Sequence, residues 1–288
     1  MGTDSVRPLV ATDFAALRQT IGGWRRAGET IALVPTMGAL HAGHVALVAR
    51  ARVLARRVAV SIFVNPTQFA PHEDLDRYPR NEAADIDLLD AESADLVWLP
   101  SPALMYPPGH STRVQPGSAA AGLETEFRPH FFGGVATVVL KLFNQVGPDW
   151  AVFGEKDFQQ LAVVRQLALD LDLPVTVVGE PTVREADGLA LSSRNRYLSS
   201  EERAVAPALN ATIQSAAEAA RAGGDISLIE AQAAADLVAR GFAKVDYVAI
   251  RDALTLKTYD AGAGREGRVL AAAWLGGTRL IDNVPIAA

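Results

Sequence analysis

Thr30-Ile31-Ala32-Leu33-Val34, continuing into Pro35-Thr36-Met37-Gly38-Ala39-Leu40-His41-Ala42-Gly43-His44, is the stretch on which the architecture turns. The first five residues form an apolar run suited to a parallel strand buried on both faces, and Val45 to Arg57 reads as a helix. A glycine-bearing turn between strand and helix leaves backbone N–H groups unpaired at the helix start. Together with the positive end of the helix dipole, these attract anions. Two of the five histidines, His41 and His44, stand three residues apart in this turn, so both can face a bound phosphate. The pair also admits a zinc reading, but no third ligand is evident and the chain has no cysteine.

Working outward, the same alternation recurs. Strands are expected at Val58 to Val64, Leu96 to Leu99, Trp150 to Phe153 and Val175 to Val178. Helices are expected near Asp13 to Ala27, Glu82 to Ala91, Val135 to Val146 and Phe158 to Leu171. Short apolar strands separated by amphipathic helices predict an α/β, Rossmann-like parallel sheet, which binds ligands at the carboxyl ends of its strands. After Val183 the texture changes. A polar, glycine-containing segment, Arg184 to Arg196, precedes helices at Glu201 to Ala222 and Ser227 to Arg240. Strands follow at Val245 to Ile250, Arg268 to Trp274 and Thr278 to Val284. The expected division is therefore 1–183, the Rossmann-like nucleotide-binding domain, and 184–288, a smaller C-terminal α+β lid domain.

Composition narrows the partners. The chain has 288 residues, 49% apolar and 21% charged, and carries a net charge of −6, which argues against sequence-independent nucleic-acid binding. The absence of cysteine excludes disulfides, thiolate metal sites and cysteine nucleophiles, and fits a cytoplasmic protein. No apolar run approaches a membrane span, and the N-terminus lacks the pattern of a signal peptide. Of 27 basic residues only Lys141, Lys156, Lys244 and Lys257 are lysines, so a lysine in a loop of unusual composition is informative.

Four further segments end strands or fill loops. In Asn65-Pro66-Thr67-Gln68-Phe69, the two amides offer neutral donors and acceptors for a hydroxyl or carboxylate, while Asn-Pro alone also reads as a turn. Tyr78-Pro79-Arg80-Asn81 leads into a helix carrying Asp85, which near a phosphate site suits Mg²⁺ and equally suits the first turns of a helix. In Gly154-Glu155-Lys156-Asp157, Lys156 supplies a mobile cation for phosphate, and Asp157 takes ribose hydroxyls or caps a helix. Ser192-Ser193-Arg194-Asn195 suits clamping of a polyphosphate by a movable element, or a simple polar linker.

These segments, in this order, resemble the pantoate–β-alanine ligase family. The carrying motifs are Pro-Thr-Met-Gly-Ala-Leu-His-x-Gly-His, Phe-Val-Asn-Pro-x-Gln-Phe, Tyr-Pro-Arg, Gly-Glu-Lys-Asp-x-Gln-Gln and Ser-Ser-Arg-Asn-x-Tyr-Leu, spanning about residues 33 to 198. The first is the family's version of a His-x-Gly-His signature shared by nucleotidyl-transferring enzymes. The resemblance implies ATP-dependent condensation of pantoate with β-alanine through a pantoyl adenylate, with Mg²⁺ and a homodimer. It implies catalytic roles for His44, His41 and Lys156. It implies an ATP site of Met37, Gly38, Ala39, Leu40, His41, Ala42, Gly43, His44, Gly154, Glu155, Lys156, Asp157, Val183, Leu191, Ser192, Ser193 and Arg194. Gln68 and Gln160 would bind pantoate, with Gln68 also near β-alanine.

One departure stands out. The family's usual Arg-Pro-x-His-Phe-x-Gly-Val is here Arg128-Pro129-His130-Phe131-Phe132-Gly133-Gly134-Val135, so Phe131 occupies the histidine position and His130 precedes it. Two rivals remain: a nucleotidyl transferase acting on a phosphorylated alcohol, and a silent nucleotide-binding module or tRNA-handling domain, the latter disfavoured for RNA by the acidic balance and few lysines. The neutral Asn65, Gln68 and Gln160 disfavour the first; the two histidines with Lys156 disfavour the second.

Overall fold

The computed structural model describes residues 7–71 and 73–286. Its first unit, Met1–Glu155 with Val163–Pro181, is organised by a parallel sheet. The strands are β1 (Leu9–Ala11), β2 (Ile31–Thr36), β3 (Arg57–Ile62), β4 (Leu96–Trp98), β5 (Trp150–Gly154) and β6 (Thr176–Glu180). They lie in the order β1-β4-β3-β2-β5-β6, each pair parallel. From β2 the chain builds outward to β3 and β4, then returns to place β5 on β2's other side. That reversal puts a crevice at the carboxyl ends of β2 and β5.

The helices of this unit are α1 (Phe14–Arg26), α2 (Ala42–Leu54), α3 (Glu82–Ala91), the short α4 (Pro102–Met105) and α5 (Glu124–Phe127), and α6 (Phe131–Val146). Leu47, Val48 and Ala51 of α2 and Leu89 of α3 pack on Ala32, Val34, Val58, Val60, Val97 and Val152. A leucine or valine side chain fully buried in this way contributes about 1.5–3 kcal/mol. α6 buries eleven of its residues, among them Phe131, Phe132, Val135 and Leu142. α7 (Phe158–Asp170) leads to β6.

The second unit comprises Lys156–Ala162 with Thr182–Ala288. It holds α8 (Ser200–Val205), α9 (Ala208–Arg221) and α10 (Ile226–Ala239). Its antiparallel sheet runs β7 (Lys244–Asp252), β8 (Gly267–Leu275), β9 (Thr278–Ile286). Leu209, Ile213 and Ala217 of α9 and Leu237 of α10 close its core against Val248, Val269 and Val284. The helix expected over Glu201 to Ala222 is broken in two at Pro207, whose ring removes an N–H from the ladder. Among the described residues, no helix is long and apolar enough to cross a membrane.

Candidate active site

The turn after β2 has a shape only particular residues tolerate. Gly38 sits at φ +80° and Ala39 at φ +52°, in the left-handed region. Thr36 fastens the entry: its hydroxyl donates to the Ser61 carbonyl at 2.8 Å and accepts the Gly38 N–H at 3.3 Å. Asp85 fastens the rest. Its Oδ2 accepts the Ala39 N–H at 2.9 Å and its Oδ1 accepts the Leu40 N–H at 2.8 Å. A Cβ at Gly38 would lie 3.0 Å from that same Oδ2. Asp85, expected as a candidate Mg²⁺ ligand, is therefore 5% exposed and spends both oxygens on the loop. Among the described residues no three His, Cys, Asp or Glu gather as a metal site.

α2 begins at Ala42, three residues earlier than the apolar pattern predicts, because His41 caps it. The His41 Nδ1 accepts the Gly43 N–H at 3.1 Å, and the His44 Nδ1 accepts the His41 N–H at 3.3 Å. This is a capping box built from two imidazoles, in place of the usual hydroxyl and carboxylate. Accepting a hydrogen bond at Nδ1 suits the neutral tautomer that carries its proton on Nε2. The rings lie 4.2 Å apart between centroids, at 48°.

After β3 the chain makes a short turn, Pro66–Gln68, and Asn65 and Gln68 are both buried. Asn65 Nδ2 donates to Gln68 Oε1 at 2.8 Å and to the Gly134 carbonyl at 3.2 Å. Arg128 holds the Gln68 carbonyl at 3.1 Å through Nη2 and grips Glu73 at 2.9 and 2.6 Å. The guanidinium lies 4.0 Å above the Phe131 ring. Phe131, at the position where the family usually has histidine, is thus a buried platform for Arg128, worth about 0.5–2 kcal/mol as a cation–π contact. His130 Nε2 lies 3.8 Å from Glu73 Oε1.

In the second unit, the Lys156 carbonyl accepts from Asn283 Nδ2 at 2.9 Å, and its ammonium lies 3.7 Å from Asp157 Oδ2. Phe158, close by in the chain, lies 3.9 Å beneath the buried Arg268 guanidinium. Arg184 to Arg196, expected either as a movable clamping element or as a polar linker, is braced within its own unit. Arg184 pairs with Ala190 in a β-bridge, and the Leu191 N–H donates to the Val183 carbonyl at 3.0 Å. The Arg184 guanidinium donates twice to Asp282, at 2.7 and 2.9 Å, and to the carbonyls of Gly188 and Asn283. Ser192 caps the turn Ser193–Tyr197, accepting the Arg194 N–H at 3.3 Å. Arg203 binds Glu185 and Asp187, and its hydrogen bond holds the Asp187 carboxyl below the usual aspartate value. Adjacent residues of β9, Asp282 and Asn283, therefore tie Lys156 and the serine–arginine segment to one strand.

Met37 to His44, Gln68, Asp85, Gly154 and Glu155 fall in the first unit. Lys156, Asp157, Gln160, Val183 and Leu191 to Arg194 fall in the second. The residues that sequence reasoning passed over are Tyr106, Glu73, Arg128, Asp282 and Asn283, whose roles depend on contacts distant in the chain.

Comparison with known proteins agrees with the strand-end motifs. Residues 9–285 match the family model described as pantoate-beta-alanine ligase. The chain is 57% identical to the pantothenate synthetase of Mesorhizobium japonicum, covering 97% of this chain and 98% of that one. It is 53% identical to that of Caulobacter vibrioides, over 97% and 99%. Among solved structures, it is similar to pantothenate synthetase from Thermus thermophilus, with a TM-score of 0.89 and 44% identity over 97% and 100% of the chains. It is also similar to pantoate-beta-alanine ligase from Francisella tularensis complexed with beta-gamma ATP and beta-alanine, with a TM-score of 0.82 and 31% identity over 96% and 97%. A match over almost the whole length, at more than half identity and with the same fold, leaves one conclusion: the chain belongs to the pantoate–β-alanine ligase family.

Proposed function

We propose that the family's reaction runs on this chain through the residues described above. Pantoate and ATP form an enzyme-bound pantoyl adenylate and pyrophosphate; the amine of β-alanine then attacks the acyl carbon, AMP departs and pantothenate is released. The observation that best supports the residue roles is the imidazole capping box at the start of α2. Two rings with protons on Nε2, the backbone N–H groups of a helix start and the helix dipole all favour phosphate oxygens.

A carboxylate is already nucleophilic at neutral pH, so pantoate needs no base. Adenylation needs alignment on the α-phosphorus and relief of charge on the departing pyrophosphate. His44, His41 and Lys156 provide that relief, with His44 donating through Nε2–H. Met37 to His44, Gly154 to Asp157, Val183 and Leu191 to Arg194 line ATP, and Gln68 and Gln160 hold pantoate, Gln68 also meeting β-alanine. Mg²⁺ enters with ATP as part of the substrate. The smaller unit serves as the lid, carrying Lys156 and Ser192 to Arg194 with it. The working form is a homodimer in the cytoplasm; sedimentation of the purified protein checks the dimer, and cell fractionation checks the location.

The deciding experiment is AMP release from Mg-ATP with pantoate alone, β-alanine alone and both together. Sustained turnover is expected only with both. AMP formation driven by β-alanine alone would remove the pantoyl adenylate from the sequence of steps.

A further inference from the structure

Gln68 is an amide, and an amide presents either a donor or an acceptor depending on which way it is turned. Within the first unit the turn is fixed by a chain of hydrogen bonds that begins at Tyr106. The Tyr106 hydroxyl donates to Asn65 Oδ1 at 2.8 Å. That same oxygen accepts the Thr67 hydroxyl at 2.9 Å and the Thr67 N–H at 3.3 Å. With every neighbour of Oδ1 a donor, Asn65 must aim Nδ2 the other way, at Gln68 Oε1 and the Gly134 carbonyl. Gln68 Oε1 is thereby occupied, and Nε2, carrying two protons, is the end left to meet a ligand.

We infer that Tyr106 is a positioning residue, acting through Asn65 to hold Gln68 with its Nε2 donor toward the acyl substrate. The inference rests on the reading that Gln68 contacts pantoate. A donor at that place selects a ligand with acceptor oxygens, the carboxylate or hydroxyl of a hydroxy acid, and disfavours one offering an N–H or ammonium group there. Burial pushes the Tyr106 hydroxyl above the ordinary tyrosine value, against the opposing effects of Thr67, Arg113 and Asn65, so the phenol keeps its proton at neutral pH. The ring is kept in place by edge contact with His110 at 5.1 Å and by Lys141, whose ammonium lies 5.8 Å from the ring centre. Tyr106→Phe removes the donor and retains the ring.

The test measures KM for pantoate and for ATP, kcat and the melting temperature in Tyr106→Phe and Gln68→Ala. Losing one neutral hydrogen bond at this remove is expected to raise the pantoate KM about 3- to 10-fold in Tyr106→Phe. The ATP KM and kcat should stay within about twofold. Equal changes in both KM values would mark Tyr106 as merely structural and overturn the inference. If Gln68→Ala raises the pantoate KM and Tyr106→Phe does not, the inference fails while the Gln68 reading stands. If Gln68→Ala leaves it unchanged, the Gln68 reading fails and takes the inference with it. Should Tyr106→Phe not fold, neutron diffraction from the wild-type protein with pantoate decides. Deuterium on the Gln68 nitrogen facing a pantoate oxygen supports the assignment, and Oε1 in that place overturns it.

Discussion

Asp85 and Ala39 are 46 residues apart in sequence, and the carboxylate of one accepts the N–H of the other at 2.9 Å. The bond holds a non-glycine residue at positive φ, where an alanine costs on the order of 1 kcal/mol or more. Asp85→Asn keeps one acceptor but turns an NH₂ group toward a second backbone N–H. Expected is a loss of about 1–3 kcal/mol in stability, read by urea unfolding, and slower pyrophosphate release at saturating ATP. Unchanged unfolding would mean that the loop holds itself.

Gly38 answers to the same carboxylate. In Gly38→Ala the new methyl meets Asp85 Oδ2 at 3.0 Å and Ile62 Cγ2 at 3.1 Å, on a backbone at φ +80°. The variant is expected to lose about 1–3 kcal/mol and most of its ATP affinity, measured by calorimetric unfolding and nucleotide titration.

The two jobs of His44, cap and donor, can be separated. His44→Ala removes both and is expected to cost about 0.5–2 kcal/mol in stability. His44→Gln restores the reciprocal bond that a glutamine makes at that helix position, so its stability should recover. Both variants are expected to lose adenylate formation by about 10²–10³, followed by pyrophosphate release, because neither carries the Nε2–H of the ring. A fully active His44→Gln enzyme would reduce the ring to a cap.

Gly134 lets α6 approach the turn that carries Gln68. A Cβ there would stand 2.5 Å from the Thr67 carbonyl oxygen and 3.0 Å from the Gln68 nitrogen, both unyielding backbone. Gly134→Ala is expected to lose about 1–3 kcal/mol and to raise the pantoate KM more than the ATP KM. Paired melting and kinetic measurements check this.

Acid should act through the second unit. Burial raises the Asp246 carboxyl, but hydrogen bonds from Lys244 and Arg279 prevail and hold it below the ordinary value. Asp252 is pushed up by burial too, and Thr255 with the charge of Arg265 brings it below. A carboxyl whose folded pKa lies below its unfolded one stabilises fully above the unfolded value, roughly pH 4, and the contribution fades as pH falls through the folded value. Melting temperature should therefore drop below about pH 4, more steeply in wild type than in Asp246→Asn. Parallel curves would place the acid sensitivity elsewhere.

Much of this was legible in the chain itself. The runs around Val34, Val60, Val97 and Val152 lie in strands, because strands buried on both faces read as uninterrupted apolar stretches, and Val177 lies in the half-buried edge strand β6. Leu9–Ala11 escaped notice because three residues at a sheet edge, two of them exposed, carry no such pattern. The start of α2 was misplaced because capping signals are usually hydroxyl, carboxylate or amide side chains, and this helix uses imidazoles. The bracing of Arg184 by Asp282, and of Gln68 by Arg128, depends on pairs 98 and 60 residues apart, which local patterns do not reveal.

The bond from Asn283 to the Lys156 carbonyl sets an order of events on the ribosome. The larger unit's sixth strand ends at Glu180, so its sheet can assemble while the remainder is still being translated. Lys156 must wait for its partner until β9, spanning Thr278–Ile286, has emerged. A nascent polypeptide stalled before that strand would lack the amide that holds the Lys156 carbonyl.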